Sequence, residues 1–255
     1  MTWRMWHTSV VLLCLAFLVA LPIAMAEGTT AGWLSLTISA KYVIWALILV
    51  DVFIIMVVAG LGITGRTTGL LIDERNRMST SRFQLVIWTL VIVPALLAFF
   101  YVNIALHTAD ATNIVVPAEL WILLGISGGA AIGAPVVNDA TNRSKTPKNE
   151  AAEDREGILD VNKHVKDAKF RDIFEGDEVG NRGHLDISKV QMLLITVGLA
   201  LGYGYAILVL LGNASATAVL TTFPPISSNL AILLAVSQGT YLSYKAAPHT
   251  QTKKP

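Results

Sequence analysis

A carboxylate in the middle of an apolar run is the first residue of this chain whose placement asks for chemistry. Asp51 stands ten residues beyond Lys41, in a stretch that carries no other charge as far as Thr64. At 1.5 Å of rise per residue that is about 15 Å, half the hydrocarbon thickness of a bilayer. Ser127 lies ten residues beyond Pro117 and Ser237 ten beyond Ser227, with Thr196 and Gln238 at similar depth. Asp51, Ser127, Thr196, Ser237 and Gln238 therefore form a candidate polar layer at one level of a membrane bundle. Inserting a carboxylate there costs about 2.5–3.5 kcal/mol, so it usually has a purpose. One purpose is an ion path, because channels and transporters place ion sites in such layers. The other is assembly, with Asp51 protonated and hydrogen-bonded to a Ser or Gln of a neighbouring helix.

The other chemistry-bearing types do not converge. The histidines, His7, His107, His164, His184 and His249, fall in separate segments without ligand spacing, and Cys14 is the only cysteine, so the sequence offers no metal site and no disulfide within the chain. The acidic, Gly-rich segment 171–181 lacks the ligand spacing of an EF-hand loop. No nucleophile elbow, phosphate loop or dinucleotide fingerprint occurs. The expectation is a protein that is not an enzyme and uses no cofactor. With a net charge of +1, bulk charge points to no nucleic-acid partner.

The elements that must position the layer are membrane helices. Charged residues are 15% of the chain and hydrophobic ones 54%, with a mean hydropathy of +0.59, the balance of a polytopic membrane protein. Residues 1–26 carry Arg4, an apolar run and the small-x-small pattern Ala24-Met25-Ala26. They read as a signal peptide or as an uncleaved helix. A first transmembrane helix follows at 40–64. Transmembrane hairpins are expected at 81–137 and 188–245, with a connector at 138–187 and a basic tail at 246–255. In the connector Ile158, Val161, Val165 and Ala168 recur at helical spacing, which predicts one amphipathic helix. Pro94 should kink the helix that contains it.

The two hairpins are copies of each other. Ser81-Arg82-Phe83-Gln84 matches Ser188-Lys189-Val190-Gln191. The return segment Leu120-Trp121-Ile122-Leu123-Leu124-Gly125-Ile126-Ser127-Gly128-Gly129 matches Leu230-Ala231-Ile232-Leu233-Leu234-Ala235-Val236-Ser237-Gln238-Gly239. Gln84 and Gln191 occupy equal places one turn into each hairpin and are expected to hydrogen-bond across a pseudo-twofold. Gly125, Gly129 and Gly133, with Ala235, Gly239 and Ser243, form small-residue ridges suited to helix packing. Beyond Lys41 every Lys and Arg lies in the links 65–82 and 138–189 or from Lys245 onward, and the loops 107–119 and 212–226 have none. That asymmetry places the links and the C-terminus in the cytoplasm and makes the duplication a parallel repeat.

The run from Gly69 to Gln84, the segment Pro117-Ala118-Glu119-Leu120-Trp121 with Gly125-Ile126-Ser127, and Phe174-Glu175-Gly176-Asp177-Glu178-Val179-Gly180-Asn181 leading into 185–191 resemble a family of uncharacterised bacterial multi-pass inner-membrane proteins. The resemblance spans about residues 65–245 and implies a bacterial inner-membrane location and no particular activity. The second return ends Thr240-Tyr241-Leu242-Ser243-Tyr244-Lys245 where the first has Ala130-Ala131-Ile132-Gly133-Ala134-Pro135, so the copies are not interchangeable.

The expected fold is an all-α polytopic bundle of five transmembrane helices, in two parallel-repeat hairpins, preceded by the signal peptide or sixth helix. Two functions follow. One is a structural or accessory component of an inner-membrane assembly, with the bilayer and either copies of itself or other membrane subunits as partners. The other is an ion channel or small transporter built around Asp51.

Overall fold

The structure, a computed structural model, describes residues 3–32, 36–121, 155–156 and 159–247. The long helices among them are α1 (Met5–Thr30), α2 (Ile38–Thr64), α3 (Thr80–Ala105), α4 (Ile187–Asn213) and α5 (Ser228–Ala246). The first four are long and apolar enough to cross a membrane. At about 40 Å each, they exceed the hydrocarbon core. α5 forms where the second return was expected but falls short of that measure, because Ser237, Gln238, Thr240, Ser243 and Lys245 dilute its apolar residues. Residues 118–121 are helical, and the rest of the helix expected at 117–137 lies outside the described residues.

Local chemistry sets the helix ends. The Thr37 hydroxyl accepts the Ala40 amide at 3.2 Å and caps the start of α2. Gly65 ends the same helix at φ 75°, where a side chain would be strained, and its amide returns to Leu61 O. Pro94 sits inside α3, which continues past it to Ala105.

Two compact units partition the chain, and α3 and α4 each begin in the second and end in the first. The first unit comprises residues 1–70, 87–121 and 198–227. Within it α1 and α2 run antiparallel, with the Trp3 ring against Gly62 and the Cys14 thiol on Asp51. α1 continues through Ala24-Met25-Ala26 to Thr30 with Met25 buried, and the Tyr101 hydroxyl of α3 donates to Leu18 O at 2.5 Å. The loops after α3 and α4 pair with each other. Val115 N donates to Thr221 O at 2.7 Å and Phe223 N to Val115 O at 3.0 Å. Asn103, fully buried, grips the same strand-like segment, its Nδ2 on Leu220 O at 2.8 Å and its Oδ1 on Leu220 N at 3.0 Å.

The second unit comprises residues 71–86, 122–197 and 228–255. Its connector departs from the expected amphipathic helix. β1 (Arg155–Glu156) and β2 (Leu159–Asp160) form a two-residue antiparallel ladder, and 3-10 turns follow at Val165–Asp167 and Phe170–Ile173. Ile158 lies outside the described residues. The reason is side-chain competition for the backbone. Asp167 accepts the His164 amide at 3.2 Å and Asp172 the Lys169 amide at 2.8 Å. Each closes a tight turn instead of freeing the amide for a helix. Val165 and Ala168 still turn inward, packing on Ile72, Met78 and Ile173. The apolar spacing thus marked burial correctly but not its conformation.

Candidate functional site

The polar chemistry of the second unit is built on two short turns. The first runs from Asp73 to Arg77. Asp73 N donates to Arg77 O at 2.9 Å, and Asp73 Oδ1 accepts the Arg75 and Arg77 amides at 3.0 and 3.3 Å. Asn76 takes the left-handed conformation, φ 56°, that this closure needs. It exchanges hydrogen bonds with Asn162, Nδ2 to O in both directions, at 2.9 and 2.8 Å. The turn sends Arg75 and Arg77 inward, both buried. The second turn carries Glu175, Gly176 and Asp177. A Cβ on Gly176 would overlap the Asn181 side chain, so only glycine fits.

Asp177 is the centre of the arrangement. Its Oδ1 takes Arg75 Nη1 at 3.1 Å and Lys189 Nζ at 3.0 Å, and its Oδ2 takes Lys245 Nζ at 2.8 Å. All four side chains are at most 9% exposed. Burial alone would raise the Asp177 carboxyl, but Arg75, Lys189 and Lys245 together outweigh it and hold it well below the usual carboxylate range. Arg75 also forks onto Asp73 Oδ2, at 3.0 Å from Nε and 2.8 Å from Nη2. Beside this group Arg77 binds Asp160 at 2.7 Å, Gly176 O at 3.1 Å and Glu175 at 3.6 Å. Arg182 closes on the other Asp160 oxygen at 3.0 Å. Four buried cations, Arg75, Arg77, Lys189 and Lys245, thus meet four carboxylates, Asp73, Asp160, Glu175 and Asp177. The charge closes on itself, as buried ions require.

The cluster fixes the hairpin of α4 and α5. Lys189 is at the start of α4 and Lys245 at the end of α5, so a shared carboxylate holds those ends together and the helices antiparallel. Asp186 caps α4, accepting the Ser188 and Lys189 amides at 3.0 and 3.3 Å. One turn into the helices Met192 packs on Tyr241, whose hydroxyl accepts Lys245 Nζ at 3.2 Å. A polar cleft of about 270 Å³ opens beside the cluster, with exposed Lys169, Arg171 and Arg182 over buried Asp160 and Asp172.

The residues singled out in the sequence fare differently. Thr196, Ser237 and Gln238 are buried in the second unit. Asp51 is buried in the first, between α1 and α2, with its Oδ2 free of hydrogen bonds among the described residues. Ser127, Gly125, Gly129 and Gly133 lie outside the described residues. Gln84 is buried but Gln191 faces outward, which corrects the expected bond between them. The cause is the rotation of α4 that buries Lys189 and Met192 and turns the position between them away. In the ridge Ala235, Gly239 and Ser243, Ala235 is half-buried. Gly239 and Ser243 are exposed, with nothing within 4 Å of a Cβ on Gly239. α5 instead buries Ala231, Leu234, Ser237, Gln238, Tyr241 and Lys245, the face that reaches the cluster.

Sequence reasoning missed the cluster altogether. Its signal was the pairing of interleaved charges with tight-turn residues in 73–77 and 175–178, a pattern that suits buried ion pairs better than a solvated link. It also missed Lys41, buried near the start of α2, whose Nζ donates to Gly212 O at 3.0 Å and Ala214 O at 2.6 Å and so caps the carbonyl end of α4. Among the described residues no group of His, Cys, Asp or Glu is placed to hold a metal ion. No family model, curated protein or solved structure matches this chain.

Proposed function

We propose that this protein is a non-enzymatic integral membrane protein, an oligomeric structural or accessory component of a bacterial inner-membrane assembly. One observation carries the reading: the buried charges around Asp177 are spent on one another, tying a connector turn to the ends of two helices. A group committed in this way is a fastening and not a reagent. The basic links and tail face the cytoplasm in this proposal, and the two hairpins are parallel repeats of one ancestral unit. α1 remains in the protein as a further helix, since Ala24-Met25-Ala26 lies within it and Tyr101 holds its backbone. Intact-mass measurement of the purified protein tests that point, and a mass short of residues 1–26 overturns it. Native mass analysis after gentle extraction tests the function. Other membrane subunits in the complex support the accessory role, while a closed homo-oligomer that carries ions contradicts it.

A second reading, an ion channel or small transporter, rests on Asp51, a buried carboxylate with one oxygen lacking a hydrogen bond among the described residues. It expects cation flux in proteoliposomes that Asp51→Asn abolishes. Absence of flux from the intact wild-type assembly under any gradient or voltage rejects it.

A further inference from the structure

The second unit buries a set of polar side chains that the ion cluster does not use. Gln84, Thr196, Ser237 and Gln238 are each at most 3% exposed. Both side-chain polar atoms of Gln84 and of Gln238, Thr196 Oγ1 and Ser237 Oγ have no hydrogen-bond partner among the described residues. They belong to three helices, α3, α4 and α5.

The contacts below them place these residues at one level. Lys189 and Lys245 meet on Asp177, and one turn further in Met192 packs on Tyr241. The Ser81 hydroxyl reaches the Tyr241 hydroxyl, so α3 joins at that same height. One more turn along each helix arrives at Thr196 on α4, at Gln238 and Ser237 on α5, and at Gln84 on α3. Thr196 and Gln238 are each seven residues from the lysine of their own helix, about 10 Å along the axis. The three helices therefore converge a layer of amides and hydroxyls two turns from the ion cluster.

We infer that this layer is a hydrated chamber that binds water, inside helices that elsewhere bury apolar side chains. Buried polar groups find partners, and water fills polar cavities that offer several donors and acceptors. The donor set selects the ligand. Two carboxamides and two hydroxyls offer N–H and O–H donors as well as oxygens. Water satisfies both kinds, whereas a metal cation would take only the oxygens and leave both amide NH₂ groups unpaired. The layer carries no charge of its own, so nothing in it offsets the cost of burying a cation. Its ligand class is thus water or a small uncharged hydrogen-bonding solute. This inference does not rest on the functional reading above and involves neither Asp51 nor the accessory role.

Thiol accessibility tests it. In a Cys14→Ala background, Ser237→Cys and Thr196→Cys place a thiol in the layer, and Leu234→Cys places one on the same face of α5 at a fully buried apolar site. The thiolate attacks the sulfenyl sulfur of a small water-soluble methanethiosulfonate reagent and expels methanesulfinate, and it forms only where water or polar groups support the charge. In reconstituted vesicles the layer thiols are expected to react at least about tenfold faster than Leu234→Cys, because only they meet water. Adding Gln84→Leu and Gln238→Leu should bring Ser237→Cys down to the control rate, with the thermal midpoint confirming the fold. Equal slow rates at all three positions would show the layer to be dry and overturn the inference, as would a Ser237→Cys rate unmoved by loss of both carboxamides in a folded protein.

Discussion

Replacing Asp177 with Asn removes one charge and leaves the shape, so it isolates what the ion cluster contributes. At about 3 Å and an effective dielectric of about 20, each contact of Asp177 with Arg75, Lys189 or Lys245 is worth roughly 5 kcal/mol gross. Desolvation takes back several kcal/mol per ion, so the assembled cluster nets little. Losing the shared anion is another matter. Arg75 keeps Asp73, but Lys189 and Lys245 are left buried without an anion, on neutral oxygens such as Glu175 O and the Tyr241 hydroxyl. Such an uncompensated charge costs about 3–5 kcal/mol, which for a chain of this size lowers the thermal midpoint by about 6–20 °C. The midpoint is read from intrinsic tryptophan fluorescence of the detergent-solubilised protein on heating. The double change Asp177→Asn with Lys245→Met removes one charge of each sign and should recover at least half of the loss. A single Asp177→Asn variant within about 1 kcal/mol of wild type would refute the argument, because it would mean the lysines find water.

The same carboxylate sets a pH dependence. Its pKa is depressed in the folded protein, so its stabilisation is complete above the unfolded value of about 3.9 and disappears only as pH falls through the lower folded value. The gap in midpoint between wild type and Asp177→Asn should therefore hold steady from about pH 7 to pH 5 and close only below about pH 4, and a gap already closing at neutral pH would contradict this. Asn103→Leu strands the Leu220 amide and carbonyl and should cost about 1–3 kcal/mol, read as a lower midpoint. Lys41→Met unpairs Gly212 O and Ala214 O and should cost a similar amount, about 1–3 kcal/mol by the same assay. Asp51→Asn should leave the midpoint nearly unchanged if Asp51 only hydrogen-bonds, whereas Asp51→Leu should lower it by about 1–3 kcal/mol.

The membrane character and the helix positions were legible because they follow from composition and run length. A run of apolar residues longer than the bilayer is wide has few other uses, and α2, α3 and α4 begin and end within about three residues of the runs that announced them. The connector was not legible by the same means. Spacing at three and four residues records which side chains turn inward, and both a helix and a chain of tight turns can satisfy it. Asp167 and Asp172 decide between the two by taking backbone amides. The cluster escaped for a related reason. Arg75, Arg77, Asp160 and Asp177 are far apart in sequence, and only the folded turns make them neighbours.

Residues that match in sequence need not share an environment. Arg82 and Lys189 match in sequence, as do Gln84 and Gln191. Yet Lys189 is buried on Asp177, while Arg82 pairs with exposed Glu74 at 3.3 Å. Gln84 is buried and Gln191 faces outward. The difference traces to the ion cluster beside Lys189. α5 carries Lys245 and Tyr241 where the matching sequence positions hold Pro135 and Ala131. Asp177 lies in the connector ahead of α4 and draws Lys189 and Lys245 to itself, turning α4 so that Gln191 points away. In the proposed repeat one ionic fastening breaks the symmetry, because Lys189 is drawn inward where its counterpart Arg82 stays at the surface. Lys245 and Tyr241, two positions where the second return departs in sequence from the first, are thus part of what holds the ends of α4 and α5 together.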